Sequence, residues 1–304
     1  MYGNAFIWQN PAHSAKETTL TAHERWFLGG PPQQSRRIQL LCLPHSGGGA
    51  SSYRYWLEPL SDVADIRAVQ FPGRENRRAE PFVTDGDVLL HRLTEAVMAT
   101  SADHLALFGH SLGAVMATRL CMALEARGRT VRALIVSGHA GPTTVSGTSR
   151  SQTAQRFFDV LTNGQLSLAD ALVELGAMPE YVRDNASLQE LLVPAIRADL
   201  RLIADEFLGT ERVRAPVTVL AGVDDPLLTG LDFAGWRTVS PGECPVHWIP
   251  GGHFYLADQR EQVAGVIRRL LGHHTPLTAN ADRVSVPPSP AAPQPADAAG
   301  RRPR

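Results

Sequence analysis

The pentapeptide Gly109-His110-Ser111-Leu112-Gly113 lies between an apolar run, Leu105-Ala106-Leu107-Phe108, and a helix-like stretch from Ala114 to Arg127. A G-x-S-x-G pattern alone is common by chance. Its weight comes from a strand before it and a helix after it, and both flanks fit here. A strand that turns at once into a helix crowds the backbone, so side chains at 109 or 113 would collide across the turn. The turn would hold Ser111 strained and lift its hydroxyl into the open, and the following helix would aim N–H groups and its positive dipole end at that hydroxyl. Ser111 is therefore the candidate nucleophile.

The segments around this turn repeat one pattern. Apolar strands are expected at Ile38 to Leu43, Ile66 to Phe71, Leu105 to Phe108, Val131 to Ser137, Val217 to Ala221 and Pro245 to Ile249. Between them, helices are expected near Tyr53 to Leu60, from about Asp85 to Thr100 behind a Thr84 cap, after the turn to about Arg127, and finally from about Gln259 to Leu271, stopping at Gly272. Short apolar strands alternating with amphipathic helices imply an α/β fold: a mostly parallel central sheet with helices on both faces, binding ligands beyond the carboxyl ends of its strands.

From about 143 to 209 the pattern changes to helices only, roughly Ser151 to Leu161, Ser167 to Leu175, and Ser187 to Phe207 with a kink at Pro194. This reads as an inserted helical lid. The stripe Leu188, Leu191, Leu192, Ala195 and Ile196 is expected to pack on the core rather than form a substrate groove. Residues 1–36 read as a loose N-terminal arm from which Trp26 and Phe27 pack on the body. One domain then spans 37–272. The tail from 273, with seven prolines between Thr275 and Arg304, is expected to be disordered.

Composition excludes several classes of function. The 304 residues carry 29 basic and 30 acidic side chains, which argues against nucleic acid or an anionic membrane as partner. Lys16 is the sole lysine, a bias we ascribe to GC-rich coding. Cys42, Cys121 and Cys244 lie far apart without metal-ligand spacing, so core thiols in a reduced compartment are expected, with no disulfide. No signal peptide or membrane-length apolar run is evident, and a cytoplasmic monomer is expected.

A serine hydroxyl needs a base, and the base needs an orienting acid. Asp225 directly follows the strand ending at Ala221, and His253 directly follows the next strand. Taken singly, Asp-Asp-Pro is a turn and Gly-Gly-His a solvated loop. The order Ser, Asp, His with all three at strand ends is that of an α/β-hydrolase, which points to Ser111, His253 and Asp225 as nucleophile, base and acid. Asp224 is the alternative acid. Two backbone donors are required for the oxyanion, and the Leu112 N–H and the Ser46 N–H, on the glycine-rich loop after the first core strand, are the candidates. His45 and His110 flank these groups in supporting roles. No metal or cofactor is required.

The chain resembles the stand-alone type II thioesterases of polyketide and nonribosomal peptide biosynthesis over about residues 37 to 272. The resemblance rests on Leu43-Pro44-His45-Ser46-Gly47-Gly48, on Gln70-Phe71-Pro72-Gly73-Arg74-Glu75 with Arg77, on Phe108 to Ala114, on Pro194 with Arg197-Ala198-Asp199, on Gly222 to Asp225 with Trp236, and on Gly251-Gly252-His253-Phe254. It implies the same Ser111, His253 and Asp225, and it adds a substrate: acyl groups on the phosphopantetheine arm of acyl or peptidyl carrier proteins, entering under the lid. Ser46 stands where the family commonly has alanine, and both termini run longer than its core. Dedicated chain release, a small-molecule esterase and a non-catalytic scaffold are the competing readings. Arg74, Arg77 and Arg78 suggest docking of an acidic carrier, although a solvated or internally paired cluster is the expectation.

Overall fold

The computed structural model describes residues 23–29, 38–100, 102, 104–142, 168–174, 178, 180–204, 212–231 and 233–272. A seven-stranded sheet runs through them: β1 (Phe27–Leu28), β2 (Ile38–Leu43), β3 (Ala64–Val69), β4 (His104–His110), β5 (Val131–Ser137), β6 (Val217–Gly222) and β7 (Val246–Ile249). Their spatial order is β1-β3-β2-β4-β5-β6-β7, parallel except for β1. This is the α/β-hydrolase architecture anticipated from the alternation of strands and helices.

Period-two alternation along buried strands supplies both faces with apolar side chains. Leu41, Leu43, Leu105, Leu107, Leu134 and Val136 pack with α1 (Gly86–Met98) and α2 (Leu112–Ala126). Leu40, Cys42, Ala106, Phe108 and Ile135 enter a second cluster with Tyr53, Trp56, Val263 and Ile267 on the other face.

The chain order reverses beside β2, which has β3 on one side and β4 on the other. A crevice beyond the carboxyl ends of β2 and β4 is the expected ligand position in such a sheet. Between β5 and β6 the described residues contain two inserted helices, α3 (Leu168–Glu174) and α4 (Ala186–Ala204). The last helices are α5 (Ala234–Val239), α6 (Tyr255–Asp258) and α7 (Arg260–Gly272). No described helix is long and apolar enough to cross a membrane.

Several local expectations are corrected. Phe27–Leu28, inside the stretch read as a loose arm, pairs antiparallel with β3, and the Arg67 and Arg77 guanidiniums lie 4.2 and 4.4 Å from the Phe27 and Trp26 ring centres. The helix expected near Tyr53 to Leu60 is a 3-10 turn at Ala50–Trp56. The second core strand occupies Ala64–Val69 rather than Ile66 to Phe71. Asp85, not Thr84, caps α1, accepting the Asp87 and Val88 N–H groups at 2.9 Å each. Helix α4 contains Pro194 within Ala186–Ala204, as expected, but Leu191 of the expected packing stripe is 69% exposed. The helix expected at Ser151 to Leu161, the arm before residue 23 and the tail after 272 lie outside the described residues.

Candidate active site

Ser111 sits between β4 and α2 with φ 55°, ψ −118°. That left-handed backbone costs about 1–3 kcal/mol for a residue with a side chain, so its surroundings must impose it. Two glycines make it possible. A Cβ at Gly109 would fall 1.9 Å from the Gly113 carbonyl oxygen, and one at Gly113 would fall 2.1 Å from that of Leu43. The second contact also presses the end of β2 against the turn, which brings the loop at Pro44 to Gly49 beside Ser111. The Ser111 N–H donates to the Ser137 carbonyl at 2.8 Å, anchoring the turn to the neighbouring strand.

Asp225 and His253 leave the ends of β6 and β7. Their loops are joined along the backbone: Val223 N–H donates to Ile249 O (2.9 Å) and Asp224 N–H to Gly251 O (3.0 Å). A Cβ at Gly222 would lie 2.7 Å from the carbonyl oxygens of Gly251 and Gly252, so the loops meet where only glycine fits. His253 Nδ1 lies 2.8 Å from Asp225 Oδ2, with both side chains buried. Asp225 Oδ1 accepts the Leu227 N–H at 3.0 Å. Asp225, and not its exposed neighbour Asp224, thus meets the histidine.

His45, Ser46, Ser111, His253 and Phe254 line one narrow cleft with Leu172 of α3 and Ile196 of α4. Ile196, read from sequence as core packing, is a cleft residue as well. Ser46, Ser111 and His253 are therefore brought together, and Leu112 opens the helix behind Ser111, where its N–H is among those no helical carbonyl reaches.

Histidines crowd this site. The His110 ring centre is 4.9 Å from that of His253 and 6.0 Å from that of His45. Burial, followed by the facing His253 and then Arg74, pushes His45 down to about 4. Burial likewise holds His110 well below the ordinary histidine range, with His253 and then His45 adding to it. His110 Nδ1 contacts the Ser137 hydroxyl at 2.8 Å, and that hydroxyl contacts the Tyr255 phenol. Burial raises the Tyr255 phenol above its usual range, so it stays protonated.

The arginine cluster is mostly internal. Arg74 forms a buried two-bond pair with Asp199 of α4, with both distances 2.8 Å. Arg77 is buried, pairs with Glu80 and donates to the Gln70 carbonyl. Only Arg78 is exposed. The Asp199 pairing was missed from sequence, although its place in Arg197-Ala198-Asp199 on an otherwise apolar face was a signal.

Comparison with known proteins matches residues 38–271 to the thioesterase domain family. A probable cadicidin biosynthesis thioesterase of Streptomyces griseus is 30% identical over 263 residues, covering 86% of this chain and 69% of that protein. The AMB antimetabolite synthetase AmbE of Pseudomonas aeruginosa is 31% identical across 85% of this chain, which spans only 12% of that longer protein. Among solved structures, the type II thioesterase BorB from the borrelidin biosynthetic cluster is 32% identical, with a TM-score of 0.67 over 81% of this chain and 98% of BorB.

Proposed function

This chain belongs to the thioesterase domain family, and from that premise we propose that it hydrolyses acyl thioesters carried on the phosphopantetheine arm of acyl or peptidyl carrier proteins, clearing stalled or aberrant acyl groups from a polyketide or nonribosomal peptide synthase. The observation that carries the reading is the His253 Nδ1 to Asp225 Oδ2 bond of 2.8 Å at the edge of a cleft shared with Ser111. Its likeness to BorB and to the cadicidin thioesterase supports the substrate class.

In this mechanism Asp225 holds the proton of His253 on Nδ1, leaving Nε2 as base. Nε2 takes the Ser111 proton as Oγ attacks the thioester carbonyl. The oxyanion that forms is met by the Leu112 and Ser46 N–H groups, each contributing about 3 kcal/mol of barrier lowering. The C–S bond then breaks, and His253 returns the proton to the departing pantetheine sulfur. A water molecule, deprotonated by the same nitrogen, attacks the acyl-serine and releases the acid and the serine hydroxyl. The neutral internal packing of Arg74 and Arg77 leaves Arg78 as the exposed arginine of that cluster for carrier contact.

The test is hydrolysis of a panel of acyl-carrier proteins followed by intact mass. Wild-type protein is expected to return the free carrier, with short acyl groups released fastest, and Ser111→Ala to leave every carrier loaded. Turnover by Ser111→Ala, or hydrolysis of simple esters with none of the carriers, would refute the reading.

A further inference from the structure

Asp199 is fully buried on α4, and a buried ion pair by itself contributes little to stability once desolvation is counted. What Asp199 touches suggests another role. Its Oδ2 accepts the Gly47 N–H at 2.7 Å as well as Arg74 Nη1, and Arg74 Nη1 also donates to the Gly48 carbonyl at 3.1 Å. One helical turn away, Ile196 covers Gly47 so closely that a Cβ there would lie 2.5 Å from Ile196 Cγ1. Two residues on one face of α4 therefore grip a single glycine of the loop after β2.

That glycine governs the neighbouring peptide. Gly48 N–H donates to His45 O at 2.9 Å, closing a four-residue turn whose third residue, Gly47, has φ +74°, as a type II turn requires. In a planar trans peptide the C=O and the next N–H point in opposite directions. With the His45 carbonyl turned inward to Gly48, the Ser46 N–H must point outward, away from the turn. We propose that Asp199 is a positioning residue: acting through Gly47, it fixes the turn that aims the Ser46 N–H at the oxyanion, so that the donor pair is complete only while α4 is seated. This rests on the acyl-serine mechanism above. It makes substrate entry and catalysis mutually dependent, because displacing α4 would withdraw both Asp199 and Ile196 from Gly47.

The test separates fold from function by replacing both charges with apolar groups of similar size, Arg74→Met with Asp199→Leu, which commonly preserves stability. Hydrolysis of an acyl-pantetheine is read alongside binding of methylboronic acid, which forms a tetrahedral adduct on the serine. The double variant is expected to lose about 100-fold in kcat, with KM within about threefold, and to bind the boronic acid correspondingly more weakly. Arg74→Met with Asp199→Asn, which keeps an acceptor for the Gly47 N–H and leaves no buried guanidinium unpaired, is expected to recover most of kcat. In the wild-type protein the adduct should slow hydrogen exchange in peptides from 44–50 and 186–204, a readout that needs no variant. Unchanged exchange in 186–204, or a folded double variant with kcat and boronic acid affinity within about threefold of wild type, would overturn the proposal. Wild-type protein that neither hydrolyses the thioester nor binds the boronic acid would instead refute the mechanism beneath it.

Discussion

Replacing Asp225 with asparagine tests the base assignment with almost no change of shape. Asp225 uses both oxygens: Oδ1 accepts the Leu227 N–H at 3.0 Å and Oδ2 faces His253 Nδ1 at 2.8 Å. Asparagine has one acceptor, and the Leu227 N–H claims it, so the amide NH₂ turns toward His253. Nδ1 must then accept, the ring proton moves to Nε2, and the base is occupied. The opposite amide orientation sets NH₂ against the Leu227 N–H, leaving buried donors unpaired at about 1–3 kcal/mol. Loss of the carboxylate beside the imidazolium formed during attack adds a charge-assisted hydrogen bond of about 1.5–3 kcal/mol. Together these give roughly 3–6 kcal/mol, a fall in kcat of about 10²–10⁴-fold. Because asparagine still fills the site and keeps the Leu227 bond, thermal melting should shift by only a few degrees. The assay is kcat and KM on an acyl N-acetylcysteamine thioester at neutral pH, with Asp224→Asn as the exposed control. A loss below about tenfold in Asp225→Asn, or a larger loss in Asp224→Asn, would refute the assignment.

Gly109→Ala should destabilise by about 3 kcal/mol or more in urea unfolding, because its Cβ meets the Gly113 backbone at 1.9 Å. Gly128→Ala, where φ is +80° but no atom lies within 4 Å, should cost only about 1 kcal/mol. Glu125→Ala should cost about 2–4 kcal/mol without changing kcat, since the Arg214 and Ala215 N–H groups that its carboxylate accepts at 2.6 and 2.9 Å would lose their partner. Stability should also fall as pH drops from 6.5 toward about 4, because over that window the unfolded chain binds a proton at His45 that the folded chain refuses. The slope of about 1.4 kcal/mol per pH unit, reduced for the partial exposure of this ring, gives ~2 kcal/mol; His45→Gln should flatten that part of a denaturation profile.

The strands and the turn at Ser111 were legible because each is local: an apolar run bounded by turn residues, and glycines where a Cβ has no room. What escaped depended on distant partners. Phe27–Leu28 is a strand only because β3 offers an antiparallel edge, which no property of a two-residue segment encodes. Thr84 and Asp85 are both good caps, and the choice between them depends on where the helix begins. The same holds at the site. Asp225 and Asp224 are chemically equal in sequence, and the turn that gives Leu227 N–H to Oδ1 is what aims Asp225 at His253. Arg74 and Asp199 stand 125 positions apart, so their pairing emerges only from the packed structure.

The packed histidines fit the proposed mechanism, in which one base works among three imidazoles. In the proposed mechanism His253 takes the Ser111 proton, and its charge then appears 4.9 Å from His110, a distance at which a second imidazolium would repel it strongly in a buried setting. Burial is the first cause that keeps His110 and His45 neutral, and the charge on His253 reinforces it. The positive charge therefore rests on the one ring that has a carboxylate behind it. Arg74 lies beside the loop that carries Ser46, and its two bonds to Asp199 offset its charge there. In the proposed mechanism the oxyanion and the His253 imidazolium are thus the charges that change during attack. Neutral surroundings, close backbone donors and a single paired base are what a low-dielectric cleft requires to stabilise that ion pair more than the uncharged reactants.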